Sequence, residues 1–318
     1  GVGVERQGMG EAASRMASDY AAQRPSMGKT IERHEMSADY LEEMQADIAG
    51  IRAMAMTAGV HEETAQKMAM RLRFGGSDSL DEKRDEAAIK THRRKARRIT
   101  PLLKYFAAEK AVEMARRCMQ IHGGNGYMKE YGAEKLLRDV LVLPIYEGTS
   151  QIQALMAMKD TLAAIMDSPQ DFVRRVAQTR WRALSARDPL ERRVARIQQL
   201  SLSAQQHLIT RTATTKVRSL QGQPLSEWPN RLMKNWDPKR DFAYAMLHAE
   251  RLTRILADEV VCEILLEQAR RHPERGEVLE RYLERAEPRC RYLVDEITTT
   301  GQRLLSQLRG TGSPSVAV

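Results

Sequence analysis

Residues 119–159 read MQIHGGNGYMKEYGAEKLLRDVLVLPIYEGTSQIQALMAMK, and this stretch carries the clearest structural signals in the chain. Gly123 and Gly124 end an apolar-periodic segment, as glycine commonly does at helix C-termini. After a short predicted helix comes the apolar run VLVLPIY, which Pro144 prevents from continuing as a long helix. Ser150 and Gln153 then fit a capping box, S/T-x-x-E/Q, in front of the next helix. The pattern predicts helices joined by an irregular apolar segment that ends at Glu147.

The remaining sequence is predicted to be helical almost throughout. Residues 8–23 and 31–58 place Met, Leu, Ile and Ala at three- and four-residue spacings, and Pro25 interrupts the pattern between them. Thr100 and Pro101 resemble a helix start, with Thr as the N-cap and Pro at the first helical position. Aromatic residues make up only 5% of the chain, which favours long helices over sheets. Further helices are predicted over residues 170–185, 188–219, 239–272 and 274–309.

The chain of 318 residues is long enough for two domains of ordinary size. Asp167, Ser168 and Pro169 interrupt the helical pattern and indicate a boundary nearby. We therefore predict an all-α chain with one domain over residues 1–165 and a helical extension over residues 166–318. The longest irregular connection is predicted over residues 222–240, and a disordered tail over residues 311–318.

Several classes of protein do not fit the sequence. No apolar run approaches the roughly 18 to 20 residues of a membrane span, and the start lacks the pattern of a signal peptide. Cys118, Cys262 and Cys290 are odd in number and lack a CxxC spacing, which argues against disulfides or a zinc site. The seven histidines lack metal-ligand spacing, and no glycine-rich stretch follows a strand as a Rossmann fingerprint would. We predict a cytoplasmic protein with reduced thiols and no metal.

The formal net charge of +9 favours anionic partners. Nucleic acid and a phosphate-rich cofactor such as coenzyme A or FAD both fit this charge. Acidic residues offset many of the arginines in the predicted extension. The arginines are Arg174, Arg175, Arg192, Arg193, Arg196, Arg211, Arg218, Arg231, Arg240, Arg251 and Arg254.

Glu147 is the residue whose surroundings fit a catalytic base. It follows Leu143, Pro144 and other apolar residues, and burial among them would raise its pKa toward the range that a general base needs. The adjacent helix start would lower that pKa. The Gly148 N–H could donate to a carbonyl oxygen that becomes enolate-like when an α-proton leaves. From these residues alone, a capped helix start with an incidental Glu is the favoured interpretation. Arg138 and Asp139 are expected to form an ion pair that orients the chain leading to Glu147.

The same stretch resembles the acyl-CoA dehydrogenase family. Its blocks QIHGGNGY, EKLLRD and IYEGTSQIQ occur in the order and spacing of that family, and YAAQRPSMG at residues 20–28 is similar to the family's Y-x-x-x-R-x-x-F-G segment. The resemblance covers about residues 1–160. It implies a four-helix-bundle C-terminal domain, and the chain, which starts at Gly1, is expected to lack the family's N-terminal helical and middle β-domains.

The resemblance also implies roles for particular residues. Glu147 matches the catalytic base, and Gly148 matches the amide that binds the thioester oxygen. Thr149 and Gln151 match residues that contact the flavin. Arg24, Gln120 and Gly124 match residues that reach the dinucleotide part of a neighbouring subunit's FAD. Met27 departs from the pattern because the family usually has Phe there, which puts one packing contact against the cofactor in doubt.

The reaction implied by the resemblance is α,β-dehydrogenation of an acyl-CoA thioester, as in fatty acid β-oxidation. The implied partners are an acyl-CoA substrate, an electron-transfer flavoprotein and further copies of the chain, in a dimer or tetramer that shares FAD sites. The fragment alone is expected to be inactive. In the enzyme, the extension is expected to serve subunit association or to cap the CoA channel. The alternative is a flavoprotein-like binding module in which the basic helices of the extension hold nucleic acid. Trp228 and Trp236 with Lys234 could stack bases there, although packing against the adjacent helices is the favoured interpretation of these side chains. Retention of Glu147 favours the enzyme, because a binding module would not need the base.

Overall fold

The computed structural model describes residues 2–74, 79–219 and 238–310, and nearly all of these residues are helical. We number the α-helices along the described residues: α1 Val2–Gln23, α2 Glu35–Phe74, α3 Ser79–His122, α4 Ala133–Val140, α5 Ser150–Asp167, α6 Pro169–Ser185, α7 Pro189–Ser219, α8 Pro238–Asp241, α9 Ala243–Leu247, α10 Ala249–Arg271, α11 Gly276–Thr299 and α12 Gln302–Gly310. Two-residue strands, β1 Pro25–Ser26 and β2 Lys29–Thr30, form the one hairpin in these ranges. Short 3-10 turns span Ile31–Arg33, Gly123–Tyr127, Lys129–Tyr131 and Pro273–Arg275.

Helices α1, α2, α3 and α5 form a bundle in which α3 is central, because α3 packs against each of the other three. The alanines of α1 that face the bundle, Ala13, Ala17 and Ala21, are fully buried. They recur at a spacing of four residues, and their small side chains let α1 and α3 approach closely. The all-α prediction and the predicted bundle are confirmed.

Helix α10 connects the bundle with the C-terminal helices. It packs against α2, α3 and α5 on one side and against α7 and α11 on the other. Because it is surrounded, α10 is buried along most of its length, including Leu252, Ile255 and the carboxylate Asp258. One hydrophobic core therefore runs from α1 to α12. The break between α5 and α6 lies at Ser168, close to the boundary proposed between residues 165 and 166, and the two-domain division itself stays a prediction.

Two details of the predicted helices are wrong. Thr100 and Pro101 do not begin a helix, because α3 runs through Pro101. The Thr100 hydroxyl donates to the carbonyl of Ala96 at 2.8 Å, and Pro101 itself is buried, so tertiary packing outweighs the cost of the missing N–H. The helices predicted over 239–272 and 274–309 are both interrupted, the second at Gly301, where φ is 91°. The connection through Trp228, Lys234 and Trp236 and the tail 311–318 lie outside the described residues.

None of the helices in the described ranges combines the length and the apolar character that crossing a bilayer requires. Cys118, Cys262 and Cys290 are buried free thiols. The described residues contain no group of three or more His, Cys, Asp or Glu side chains arranged to hold a metal ion.

Candidate active site

Glu147 lies in a tight loop between α4 and α5. Three backbone hydrogen bonds fold residues 140–146 into successive turns: Leu143 N–H to Val140, and Ile145 and Tyr146 N–H to Val142. The Ser150 N–H then donates to the Pro144 carbonyl at 2.8 Å and closes the loop. Within it Glu147 has φ 53° and Gly148 has φ 90°. The left-handed conformation is uncommon for a residue other than glycine, so the surrounding contacts must stabilise Glu147 in this backbone geometry.

The start of α5 differs in detail from the predicted capping box. Thr149, not Ser150, is the N-cap, and its hydroxyl oxygen accepts the Ile152 N–H at 3.3 Å. The Ser150 hydroxyl instead donates to Glu109 on α3, which fixes α5 to the bundle. Gln153 is buried and its amide nitrogen lies 2.9 Å from the point that a Cβ on residue 148 would occupy. The first turn of α5 is thus capped by Thr149 and attached to α3 through Ser150.

The carboxylate of Glu147 is exposed, so the buried setting suggested by its apolar neighbours is absent in this structure. Those neighbours are themselves exposed: apolar side chains of the loop and of the first turns of α5 remain between 46% and 63% accessible, namely Leu141, Val142, Ile145, Ile152 and Met156. A carboxylate among exposed apolar side chains is a surface suited to an apolar ligand or a further packing element.

Two cations face this loop from the bundle. Arg6 of α1 is completely buried, and Lys104 of α3 has its ammonium 3.8 Å from the Cβ position of residue 148. Burial lowers the pKa of Arg6, and the charges of Tyr146, Glu5 and Glu147 oppose this shift. Burial and the charge of Arg6 lower the pKa of Lys104, while Glu147 raises it. Both cations therefore lie within electrostatic range of the Glu147 side chain.

The residues expected to contact a dinucleotide lie together at the opposite end of α1. Arg24 directly follows α1, and Gln120 lies in the last turn of α3, with Gly124 just beyond it. Tyr20 connects the two helix ends, because its ring stacks on His122 at 4.1 Å and its hydroxyl accepts from Asn125 at 2.9 Å. The three predicted residues are exposed. Met27 is 94% exposed at the tip of the hairpin that follows.

The structure thus brings the predicted residues into two separate groups. Glu147, Gly148, Thr149 and Gln151 lie beside the start of α1, where Glu5 and Arg6 contact their loop. Arg24 lies 18 residues after Arg6, which corresponds to about 27 Å along a helix. Within one copy the two groups therefore cannot bind the same small part of a cofactor.

Sequence reasoning missed Glu5, Arg6 and Lys104, which reach the loop from distant positions in the chain. Each looks like an ordinary charged residue of an amphipathic helix, and no local motif marks it. The ion pair expected between Arg138 and Asp139 is also replaced by another: Arg138 pairs with Glu134 one turn earlier in α4, at 3.5 Å.

Replacing Gly148 by Ala is expected to destabilise the protein by about 1–3 kcal/mol, because a side chain is strained at φ 90° and the new Cβ would lie 2.9 Å from the Gln153 amide. Urea unfolding of the purified variant would measure the change. Gly59→Ala is the matched control: Gly59 lies within α2 with open space around its Cβ position, so alanine should stabilise by up to about 1 kcal/mol there. Equal stability of Gly148→Ala and the wild type would contradict the assigned backbone geometry.

A known protein family matches the segment that contains the Glu147 loop. The family profile described as "Acyl-CoA dehydrogenase, C-terminal domain" matches residues 84–162. A 3-(aryl)acrylate reductase of Clostridium sporogenes is 32% identical over 162 residues, which are 51% of this chain and 36% of that protein. An acyl-CoA dehydrogenase of Bacillus subtilis is 32% identical over 160 residues, 50% of this chain and 35% of that protein. The chain therefore spans only about a third of the length of these relatives.

The fold extends the comparison beyond those residues. The crystal structure of an acyl-CoA dehydrogenase complexed with FAD from Bacillus anthracis matches with a TM-score of 0.66 at 18% identity, over 98% of this chain and 51% of that chain. Nearly the whole chain, extension included, thus has a structural counterpart. The fold is that of the helical C-terminal part of the FAD-dependent acyl-CoA dehydrogenases. With the profile and sequence matches, the chain is similar to the acyl-CoA dehydrogenases, and the profile of their C-terminal domain matches it over residues 84–162.

Proposed function

We propose that the intact protein is an FAD-dependent acyl-CoA dehydrogenase in which Glu147 removes the α-proton of an acyl-CoA thioester. The observation that carries the proposal is the Glu147 loop: an exposed carboxylate at the start of α5, beside exposed apolar side chains that an acyl chain could contact. The family match over the same residues supports it.

In this proposal each residue of the loop has a defined task. The Glu147 carboxylate accepts the α-proton, while the Gly148 N–H donates to the thioester oxygen as that oxygen gains negative charge. Arg6 and Lys104 place positive charge beside the loop that carries Glu147. The flavin supplies the acceptor for the β-hydride, and Thr149 and Gln151 are proposed to contact its ring.

The residues proposed to hold the dinucleotide are suited to phosphate. Arg24 is exposed and forms no ion pair with any residue in the described ranges, so its guanidinium is available to a pyrophosphate. No atom lies within 4 Å of the Cβ position of Gly124, so a ligand can approach the backbone there closely. Since these residues and Gln120 lie far from Glu147, we propose that they bind the FAD of a second copy in a homo-oligomer.

The electron acceptor is proposed to be an electron-transfer flavoprotein. Acyl length and branching are left open, because the apolar residues around Glu147 line one side of the proposed acyl site and do not define its depth.

The nucleic-acid alternative gains little support from the extension. Arginines expected to form a basic face are paired with carboxylates of the same chain: Arg175 with Glu259 at 3.5 Å, Arg193 with Glu287 at 3.0 Å and Arg251 with Glu296 at 3.2 Å. Paired guanidiniums attract phosphates less than free ones do.

Anaerobic titration of the flavin-loaded full-length protein with acyl-CoA thioesters of different length and branching tests the proposed function. We expect at least one thioester to bleach the flavin absorbance. Salt-sensitive binding to DNA, without bleaching by any thioester, would support the alternative and contradict the enzyme.

A further inference from the structure

We propose that Arg6 is a positioning residue, which fixes the loop that carries Glu147 by binding it at two points. The inference rests on the proposed function, since it concerns the placement of the proposed base. No sequence motif marks Arg6, and the contacts that support the inference join residues about 140 positions apart in the chain.

The first turns of α1 hold the loop by three contacts. The Arg6 Nη2 donates to the Leu143 carbonyl at 3.0 Å in a buried environment. The guanidinium carbon lies 4.9 Å from the ring centroid of Tyr146, the distance of a cation–π contact. The Tyr146 hydroxyl in turn donates to Glu5 at 2.6 Å. Leu143 and Tyr146 are the two ends of a four-residue segment, so both ends of the segment that leads into Glu147 are attached to one turn of α1.

Stability alone does not account for an arginine at this place. Arg6 is 0% exposed, and its Nε and Nη1 have no hydrogen-bond partner in the described part of the chain. Burying a cation with most of its donors unsatisfied costs free energy, and an apolar side chain of similar length would avoid that cost. The arginine contributes what an apolar side chain cannot, which is a directed bond to Leu143 and a planar cation against Tyr146.

The loop requires such support because of its conformation. Glu147 has φ 53°, an unfavourable region that persists only where neighbouring contacts determine the backbone. The contacts on its C-terminal side are the Thr149 cap and the bond between Ser150 and Glu109. Arg6 provides the corresponding contacts on the N-terminal side. Loss of these contacts would let residues 143–146 shift, and a displacement of about 1 Å at a catalytic group can slow a reaction about 10²-fold.

The test uses the flavin-loaded full-length protein and three substitutions of Arg6 and its neighbours. Arg6→Met removes the charge and the directed bond at similar length. Arg6→Lys keeps the charge without the planar group, and Tyr146→Phe keeps the ring while removing the bond to Glu5. Arg15→Met is the matched control, because Arg15 is an exposed arginine of the same helix. Four quantities are measured: the flavin reduction rate at saturating acyl-CoA, the acyl-CoA dissociation constant, the flavin content and the unfolding temperature.

We expect Arg6→Met to slow flavin reduction about 10- to 10²-fold while acyl-CoA affinity changes less than about twofold. Flavin content should equal that of the wild type, and the unfolding temperature should not fall. Arg6→Lys and Tyr146→Phe should have intermediate rates, and Arg15→Met should match the wild type. A wild-type rate in Arg6→Met would overturn the proposal. A slower rate that is accompanied by an equal loss of flavin or by a lowered unfolding temperature would also overturn it, because a merely structural role gives that result.

A second measurement separates this proposal from the proposed function. Hydrogen–deuterium exchange of the backbone in residues 141–149 needs no substrate, and we expect it to be faster in Arg6→Met than in the wild type and Arg15→Met. Unchanged exchange would show that Arg6 does not hold the loop, whatever the enzyme does. A further outcome is faster exchange in Arg6→Met although no thioester bleaches the flavin of the wild type. That result would support the contact between Arg6 and the loop and contradict the proposed dehydrogenase function.

Discussion

Glu147→Gln is expected to slow flavin reduction by an acyl-CoA by about 10²- to 10⁴-fold, the range that a general base contributes. The amide is nearly isosteric with the carboxylate and keeps the left-handed loop, but it cannot accept the α-proton. Rapid-mixing measurements on the anaerobic, flavin-loaded full-length protein would give the rate constant. Substrate affinity should change far less than this rate, because the carboxylate acts on the reacting bond and contributes little to holding the CoA moiety.

Glu130→Gln is the matched control for this substitution. Glu130 is an exposed carboxylate in the 3-10 turn before α4, outside the Glu147 loop. Its substitution should leave the reduction rate at the wild-type value. Equal rates for Glu147→Gln and the wild type would remove Glu147 from the role of base.

Asp258→Ala is expected to cost about 3–5 kcal/mol of unfolding free energy, because it leaves a buried arginine without its partner. Asp258 on α10 is completely buried and accepts from Arg289 Nε and Nη2 at 2.9 and 2.7 Å and from the Tyr282 hydroxyl at 2.7 Å. Both partners lie on α11. Burial would raise the pKa of Asp258, but the charge and hydrogen bonds of Arg289 outweigh it and hold that pKa below the ordinary 3.8. The stabilisation is thus present above that pH and is lost as the pH falls through the lower folded-state pKa.

Urea unfolding at neutral pH measures this effect, and Asp160→Ala is its control. Asp160 is also paired with an arginine, Arg97 at 3.2 Å, but the aspartate side chain is 41% exposed and the pair is solvated. Its loss should cost no more than about 1 kcal/mol. Similar costs for the two substitutions would mean that the Asp258 network does not connect α10 with α11 as described.

The sequence predicted correctly those features that depend on a residue and its immediate neighbours in the chain. The helix α3 ends directly before Gly123 and Gly124, and the apolar run that contains Pro144 is not helical beyond Val140, as predicted, because glycine and proline act on their own backbone. The resemblance to the family identified the same loop, and residues 84–162 match the family profile.

Predictions failed where packing from distant segments competes with a local signal. Thr100 and Pro101 are a good helix start by local rules, yet α3 continues through them inside the core. Apolar neighbours suggested a buried Glu147, but Leu141, Val142 and Ile145 are themselves exposed, since nothing in the described residues covers the loop. Arg6 could not be selected, because its proposed role depends on contacts with Leu143 and Tyr146 that only the folded bundle creates.

The most direct test of the central claim, that Glu147 is the α-proton base, is exchange of the α-proton of a bound acyl-CoA with solvent deuterium. It is measured by mass spectrometry on wild-type and Glu147→Gln protein, both flavin-loaded and full-length, with Glu130→Gln as the control. We predict rapid α-deuteration by the wild type and by Glu130→Gln, and exchange at the uncatalysed rate for Glu147→Gln. Equal α-deuteration by the wild type and by Glu147→Gln would contradict the account.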